Sequence, residues 1–110
     1  MSGYVLFDLS GKKGYVTGGG SGLGQAIAVG MAEAGAAVIV SDINLEAAER
    51  VAEEIRCQDG HAIALHIDVS QKSQVEELIR VTAEKLGGLD FAFNNAGILK
   101  LGKPEDLSEA

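Results

Sequence analysis

Residues 17–24 read Thr-Gly-Gly-Gly-Ser-Gly-Leu-Gly, after a short apolar run and ahead of a segment with helical periodicity. Read physically, that is a strand, a tight turn and a helix start. Each glycine gives up more backbone freedom on folding than any other residue, so such a density is costly unless the chain needs close approach or an unusual backbone conformation. A glycine turn at a helix N-terminus supplies one reason, because its backbone N–H groups and the helix dipole together favour an anion such as a phosphate. A flexible linker is the other reading, but linkers are not normally set between a strand pattern and a helix pattern.

Two well-known phosphate loops do not fit, the first for want of a cation and the second on spacing. The nucleoside-triphosphate loop needs Gly-x-x-x-x-Gly-Lys-Ser/Thr; Gly19 and Gly24 supply the glycines, but Gln25 stands where the lysine should be. The Gly-x-Gly-x-x-Gly fingerprint, started at Gly18 and Gly20, would put its last glycine on Leu23.

With 110 residues the chain can form one modest domain, and an apolar content of 46% gives it a core. A net charge of −7 argues against nucleic acid or an anionic membrane as partner. Cys57 is the only cysteine, so an internal disulfide is excluded and it reads as a free structural thiol on a helix. No apolar run is long enough to span a bilayer and residues 1–6 lack the blocks of a secretory signal, so the expected location is the cytoplasm.

Residues 14–16 are the expected first strand. The helix after the loop carries Ile27, Met31 and Ala34 on one stripe, with Ala26, Ala28 and Ala32 keeping it slim and Gly35 at its C′ position. Ala37-Val38-Ile39-Val40, ending in Ser41-Asp42, has no polar alternation and suits a strand buried on both faces. Asn44 can cap the next helix, with Leu45, Ala48, Ala52 and Ile55 inward and Glu46, Glu49, Glu53 and Glu54 in water. Asp59-Gly60 turns into a third strand over residues 61–67. Ser70 is the expected N-cap of a third helix with an inward stripe of Val75, Leu78, Ile79, Thr82 and Leu86, ended by Gly87-Gly88. Residues 89–93 form the fourth strand, with Phe91 and Phe93 read as core.

Strands alternating with helices call for right-handed βαβ crossovers and a parallel sheet, with expected strand order 3-2-1-4 and a crevice at the switch point between the first and fourth strands. The glycine loop and Asn94-Asn95-Ala96-Gly97 lie at the carboxyl ends of those two neighbouring strands. Asp42 ends the second strand, where a carboxylate can accept hydrogen bonds from adenosine ribose hydroxyls and repel a 2′-phosphate, which favours NAD over NADP. Ser21 adds no cation to the loop. The structural alternative for Asp42 is a turn aspartate beside Asn44. His61 and His66 have no other metal ligands or nucleophilic serine beside them and read as strand residues; no metal site is expected.

The pattern Thr-Gly-x-x-x-Gly-x-Gly at Thr17, Gly18, Gly22 and Gly24, then Asp42, Asp68-Val69 and Asn94-Asn95-Ala96-Gly97, resembles the short-chain dehydrogenase/reductase family from Phe7 onward. The resemblance implies a Rossmann-type α/β doubly wound parallel sheet, truncated here before its later strands. It also implies an NAD-dependent oxidoreductase that moves a hydride between nicotinamide and a secondary alcohol or ketone. The cofactor-binding residues it implies are Gly18, Gly20, Ser21, Gly22, Leu23 and Gly24 in the loop, and Asp42 with Ile43. Asp68 and Val69 would meet the adenine, and Asn95, Ala96 and Gly97 the cofactor's sugar, with a mainly structural role for Asn94. The structural alternative is that Asp68 competes with Ser70 to cap the helix, and both roles can hold at once.

The family's catalytic tyrosine is followed four residues later by lysine. Tyr4 is followed there by Asp8 and Tyr15 by Gly19, so no catalytic residue is assigned. Residues 1–110 accordingly read as the cofactor-binding half of a family member, expected to be inactive alone and to associate through an apolar edge at residues 89–93. The resemblance further implies a small-molecule alcohol or ketone substrate and a homo-oligomer, dimer or tetramer. Residues 7–12 and 22–25 look like members acting on sugar acids and polyols; 3-oxoacyl and steroid substrates stay open. The alternatives from other classes are a dinucleotide-binding module without chemistry and a half-fold that assembles through its sheet edge.

Overall fold

A computed structural model of the chain describes residues 8–68 and 70–94. The apolar run after the first helix becomes β2 (Ala37–Asp42), and Val38, Ile39, Val40 and Ser41 are all fully buried within it. Because successive side chains of a strand point to opposite faces, that pattern requires a layer on each side of the sheet. The chain supplies both in the order β1 (Lys13–Thr17), α1 (Gly22–Glu33), β2, α2 (Leu45–Cys57), β3 (His61–His66), α3 (Lys72–Leu86) and β4 (Phe91–Asn94). The strands form one parallel sheet in the order β3-β2-β1-β4, the order expected of a doubly wound sheet.

On one face α1 and α2 cover Val16, Val38, Val40 and Ala62, with Ala28, Ala48, Val51, Ala52 and Ile55 coming from the helices. Phe91 and Phe93 are half-buried against this layer. On the other face α3 covers Tyr15 and Ile39 through Leu78, beside Ile67. In α1 the buried positions are Gly24 and Ala28, while Ile27, Met31 and Ala34 of the expected stripe are half-buried and Ala26 is exposed.

Local signals placed most of the boundaries. The Asn44 side chain accepts the Ala47 N–H at 3.1 Å and caps α2, while Gly35 and Gly87 adopt left-handed conformations after α1 and α3. Four expectations need correction. Ser70 does not cap α3; the N-cap is Gln71, because the Ser70 amide and hydroxyl are both engaged by Asp68. Leu45 is 39% exposed in the first turn of α2, past the carboxyl ends of the strands, and Val51 fills the inward stripe instead. Ile79 is 41% exposed, since α3 is the one helix on its face among the described residues and leaves its flank uncovered. The outer strands are shorter than predicted, β3 ending at His66 and β4 beginning at Phe91; the Asp90 carboxylate accepts the Lys13 N–H at 2.9 Å just ahead of β4.

Gly14 lies opposite Phe91 in the β1–β4 ladder, and a Cβ there would collide with the Phe91 carbonyl oxygen and ring. Gly14→Ala should therefore lower the urea midpoint by the equivalent of about 1–3 kcal/mol, the usual cost of overpacking, without changing the slope. An unchanged midpoint would mean that β4 is not seated on β1 in this way.

Candidate functional site

The parallel register sets Thr17 beside Ser41 on one side and Asn94 on the other, so the ends of β1, β2 and β4 come together. Thr17 is fully buried and its hydroxyl has no hydrogen-bond partner among the described residues. The chain leaves β1 through Gly18, at φ +64°, and reaches α1 through Gly22, at φ +59°; these left-handed conformations are the ones glycine adopts without strain. Between them the loop docks on β2. Gly19 donates its N–H to the Ser41 carbonyl at 2.9 Å, and Gly20 donates its N–H to Asp42 Oδ2 at 2.9 Å.

Gly22 is different from its neighbours. A Cβ built on it would meet nothing within 4 Å, so the backbone there borders open space. The start of α1 is also left unsatisfied by side chains. Ser21 is its N-cap residue but makes no side-chain capping bond, no acid stands in the first turn, and the first helical bond runs from the Gln25 N–H to the Ser21 carbonyl at 3.2 Å. The amides of Gly22, Leu23 and Gly24 precede that bond and have no partner within the helix, which is the arrangement an anionic group can use. At α2, by contrast, Asn44 caps and Glu46 complements the dipole. Gly24 is buried, and Leu23 beside it is 59% exposed at the mouth of the loop.

Asp42 is half-buried at the end of β2. Besides Gly20 it accepts the Asn44 N–H on Oδ1 at 2.9 Å, so the turn-aspartate reading holds. An ionised carboxylate has about four lone-pair sites, so two remain for a ligand's hydroxyls. Ile43 next to it is 64% exposed. The surfaces of Leu23 and Ile43 and the oxygens of Asp42 thus border the same end of the sheet.

Asp68 follows β3. Its Oδ1 accepts both the Ser70 hydroxyl at 2.7 Å and the Ser70 N–H at 3.0 Å, and its own N–H is held by Gln74 Oε1 at 2.6 Å. Nothing in the local sequence singled out Gln74 for that task. Val69, Asn95, Ala96 and Gly97, also expected at the site, lie outside the described residues, as does the segment after them.

Residues without a place at the loop are also accounted for. His61 and His66 are exposed at opposite ends of β3, the glutamates of α2 face outward, and Glu53 is paired with Arg56 at 3.1 Å. Cys57 ends α2, exposed, and the Glu53 carboxylate at 3.4 Å pushes its thiol pKa up, the wrong direction for a nucleophile. Tyr15 is buried under α3; burial raises its phenol pKa, while a hydrogen bond with the Asn94 side chain works the other way. No helix among the described residues is long and apolar enough to cross a membrane.

A parallel sheet ordered 3-2-1-4, with a glycine loop opening α1 at the switch point and an acid closing β2, defines a Rossmann-type nucleotide-binding fold. The sequence model of the short-chain dehydrogenase family matches residues 12–110, and the chain belongs to that family. It is 38% identical over 107 residues to a short chain dehydrogenase of Claviceps purpurea, covering 96% of this chain and 40% of the relative. It is 43% identical over 89 residues to the 7α-hydroxysteroid dehydrogenase of Escherichia coli K12, covering 81% of this chain and 35% of the relative. A solved structure of a 7α-hydroxysteroid dehydrogenase, complexed with NADH and 7-oxo glycochenodeoxycholic acid, superposes with a TM-score of 0.75 at 40% identity, over 77% of this chain and 33% of that one. The chain thus spans well under half the length of these relatives.

The turn at Asp68 carries a pH signature. The Ser70 hydroxyl, and after it the Ser70 amide, hold the Asp68 pKa below the usual carboxylate range. A depressed carboxylate pKa means a contribution that is complete above the ordinary value and is lost only as pH falls through the lower, folded value. The Ser70 amide resonance should therefore stay put through the ordinary aspartate range, near pH ~3.9, and move only in stronger acid. Asp68→Asn should abolish that movement. A midpoint at or above the ordinary value in the unmodified protein would contradict the turn.

Proposed function

We propose that the carboxyl end of the sheet binds NAD, and that residues 1–110 are the cofactor-binding part of an oxidoreductase transferring a hydride between the nicotinamide and a secondary alcohol or ketone. The observation that carries this is the juxtaposition of Asp42 with the glycine loop, a carboxylate with free acceptor sites beside a helix start with uncapped donors. The amides of Gly22, Leu23 and Gly24 hold the pyrophosphate, with Gly18 and Ser21 setting the turn that brings them to it. Asp42 accepts the adenosine ribose hydroxyls, and its charge opposes a 2′-phosphate. Ile43 lies against the adenine, with Asp68 and Val69 at its far edge. Asn95, Ala96 and Gly97 close over the sugar on the nicotinamide side. Family membership and a similar structure holding NADH support this reading. The bound nicotinamide supplies the hydride chemistry; the residues named here bind and orient it.

The alternative reading is dinucleotide binding without turnover. The two readings share every contact and part on turnover with a secondary alcohol. A homo-oligomer and a cytoplasmic location complete the proposal.

Titration of NAD and NADP against the protein tests the cofactor. NAD should bind more tightly, and Asp42→Ala should narrow the difference by about 1.5–3 kcal/mol, roughly ten- to a hundredfold, as expected for a charge-assisted hydrogen bond. Equal affinities in the unmodified protein would exclude this role for Asp42. Gly24→Val should abolish binding of both, because Gly24 is buried where α1 meets the sheet. Retained affinity in a folded variant would place the phosphate elsewhere.

A further inference from the structure

We infer that Asp42 is also a positioning residue for the glycine loop, so that its carboxylate shapes the pyrophosphate site independently of any contact with the ribose. The inference rests on the NAD reading above for its ligand, but on the cofactor-free geometry for its observation. Two of the bonds by which the loop reaches β2 are the Gly19 N–H to the Ser41 carbonyl and the Gly20 N–H to Asp42 Oδ2, each at 2.9 Å. Only the second depends on a side chain. The other oxygen of the same carboxylate accepts the Asn44 N–H at 2.9 Å, and the Asn44 side chain in turn caps α2 through the Ala47 N–H at 3.1 Å. One carboxylate therefore joins the loop that opens α1 to the turn that opens α2.

The packing agrees with the hydrogen bonds. A Cβ on Gly20 would lie 2.6 Å from the Ala47 Cβ and 2.9 Å from Asp42 Oδ2, so the loop backbone rests directly on the first turn of α2 and on the carboxylate. The Gly20 amide is thereby committed to Asp42, and the loop presents its remaining face to the ligand.

Aspartate is specifically suited to this task. Both of its oxygens receive a backbone N–H, and an ionised carboxylate is acceptor-only. Asparagine is almost the same shape but has one acceptor oxygen and one NH2 group. Whichever way its amide is turned, either Gly20 or Asn44 faces a donor. Removing the charge thus disturbs the loop as well as the ribose contact, and a neutral residue at this position should not yield a good NADP site merely by ending the repulsion of a 2′-phosphate.

The test compares NAD with an NAD analogue whose adenosine ribose lacks both the 2′ and 3′ hydroxyls, each titrated against the unmodified protein and Asp42→Asn. If Asp42 also holds the loop, the variant should bind the dideoxy analogue about tenfold more weakly than the unmodified protein does, the scale of one charge-assisted hydrogen bond. Equal affinity of the analogue for the two proteins would overturn the inference while leaving the ribose contact intact. A second measurement needs no ligand. Amide hydrogen exchange at Gly20 in the cofactor-free protein should be slowed, and faster in Asp42→Asn; equal rates in the two folded proteins would overturn the inference. If the unmodified protein binds neither dinucleotide, the NAD reading fails, and the difference in Gly20 exchange between the two proteins still decides whether Asp42 holds the loop.

Discussion

Both faces of β2 are covered by helices, so its backbone N–H and C=O groups have no water to turn to and must be satisfied by strands on either side. That requirement fixes β1 and β3 as its neighbours and leaves the register as the remaining variable. The register aligns Val16 with Val40 and Thr17 with Ser41, and it delivers the start of the glycine loop beside Asp42. The site is therefore a consequence of how the central strands end. A slip of one residue would turn Val38 and Val40 toward α3 and carry Asp42 away from Gly20.

The two helix starts at that end of the sheet are finished differently. α2 is closed by Asn44 and complemented by Glu46, so its N-terminus is chemically complete within the protein. α1 begins at Gly22 with no side-chain cap and no acid in its first turn, beside backbone that borders open space. Asp42 sits between them and serves both, bonding the Gly20 amide of one loop and the Asn44 amide of the other. Negative charge and donor-rich backbone are thus held side by side. This is the pairing a dinucleotide needs, with hydroxyls at one place and phosphates at the next. Among the described residues, Thr17 is the one whose buried side-chain oxygen has no hydrogen-bond partner.

Much of this was legible in the chain. The alternation of apolar runs with amphipathic segments gave the βα order, the doubly wound pattern gave the strand order, and Asn44, Gly35 and Gly87 marked helix ends by chemistry that acts within a few residues. The spacing Asp42-Ile43-Asn44 also carried a local turn signal. Local signals misled where two of them competed. Ser70 is a good N-cap by type, but Asp68 lies two residues before it and takes its hydroxyl and amide first. Helical spacing likewise selected Leu45 and Ile79 as inward residues, because periodicity reports the angle around a helix and not whether anything lies beneath that turn.

By itself the sequence determined the parallel α/β architecture, the position of the glycine loop at the head of α1 and the acid at the end of β2, since each is written in periodicity, spacing or residue type over a short stretch. Only the tertiary structure decided what those pieces do to one another. That the Gly20 amide is held by a carboxylate 22 positions away and that Gln74 steadies Asp68 are facts of strand register and helix placement. Hydrogen bonds form wherever the fold brings donors to acceptors, and no local pattern encodes partners that meet only once the sheet has closed.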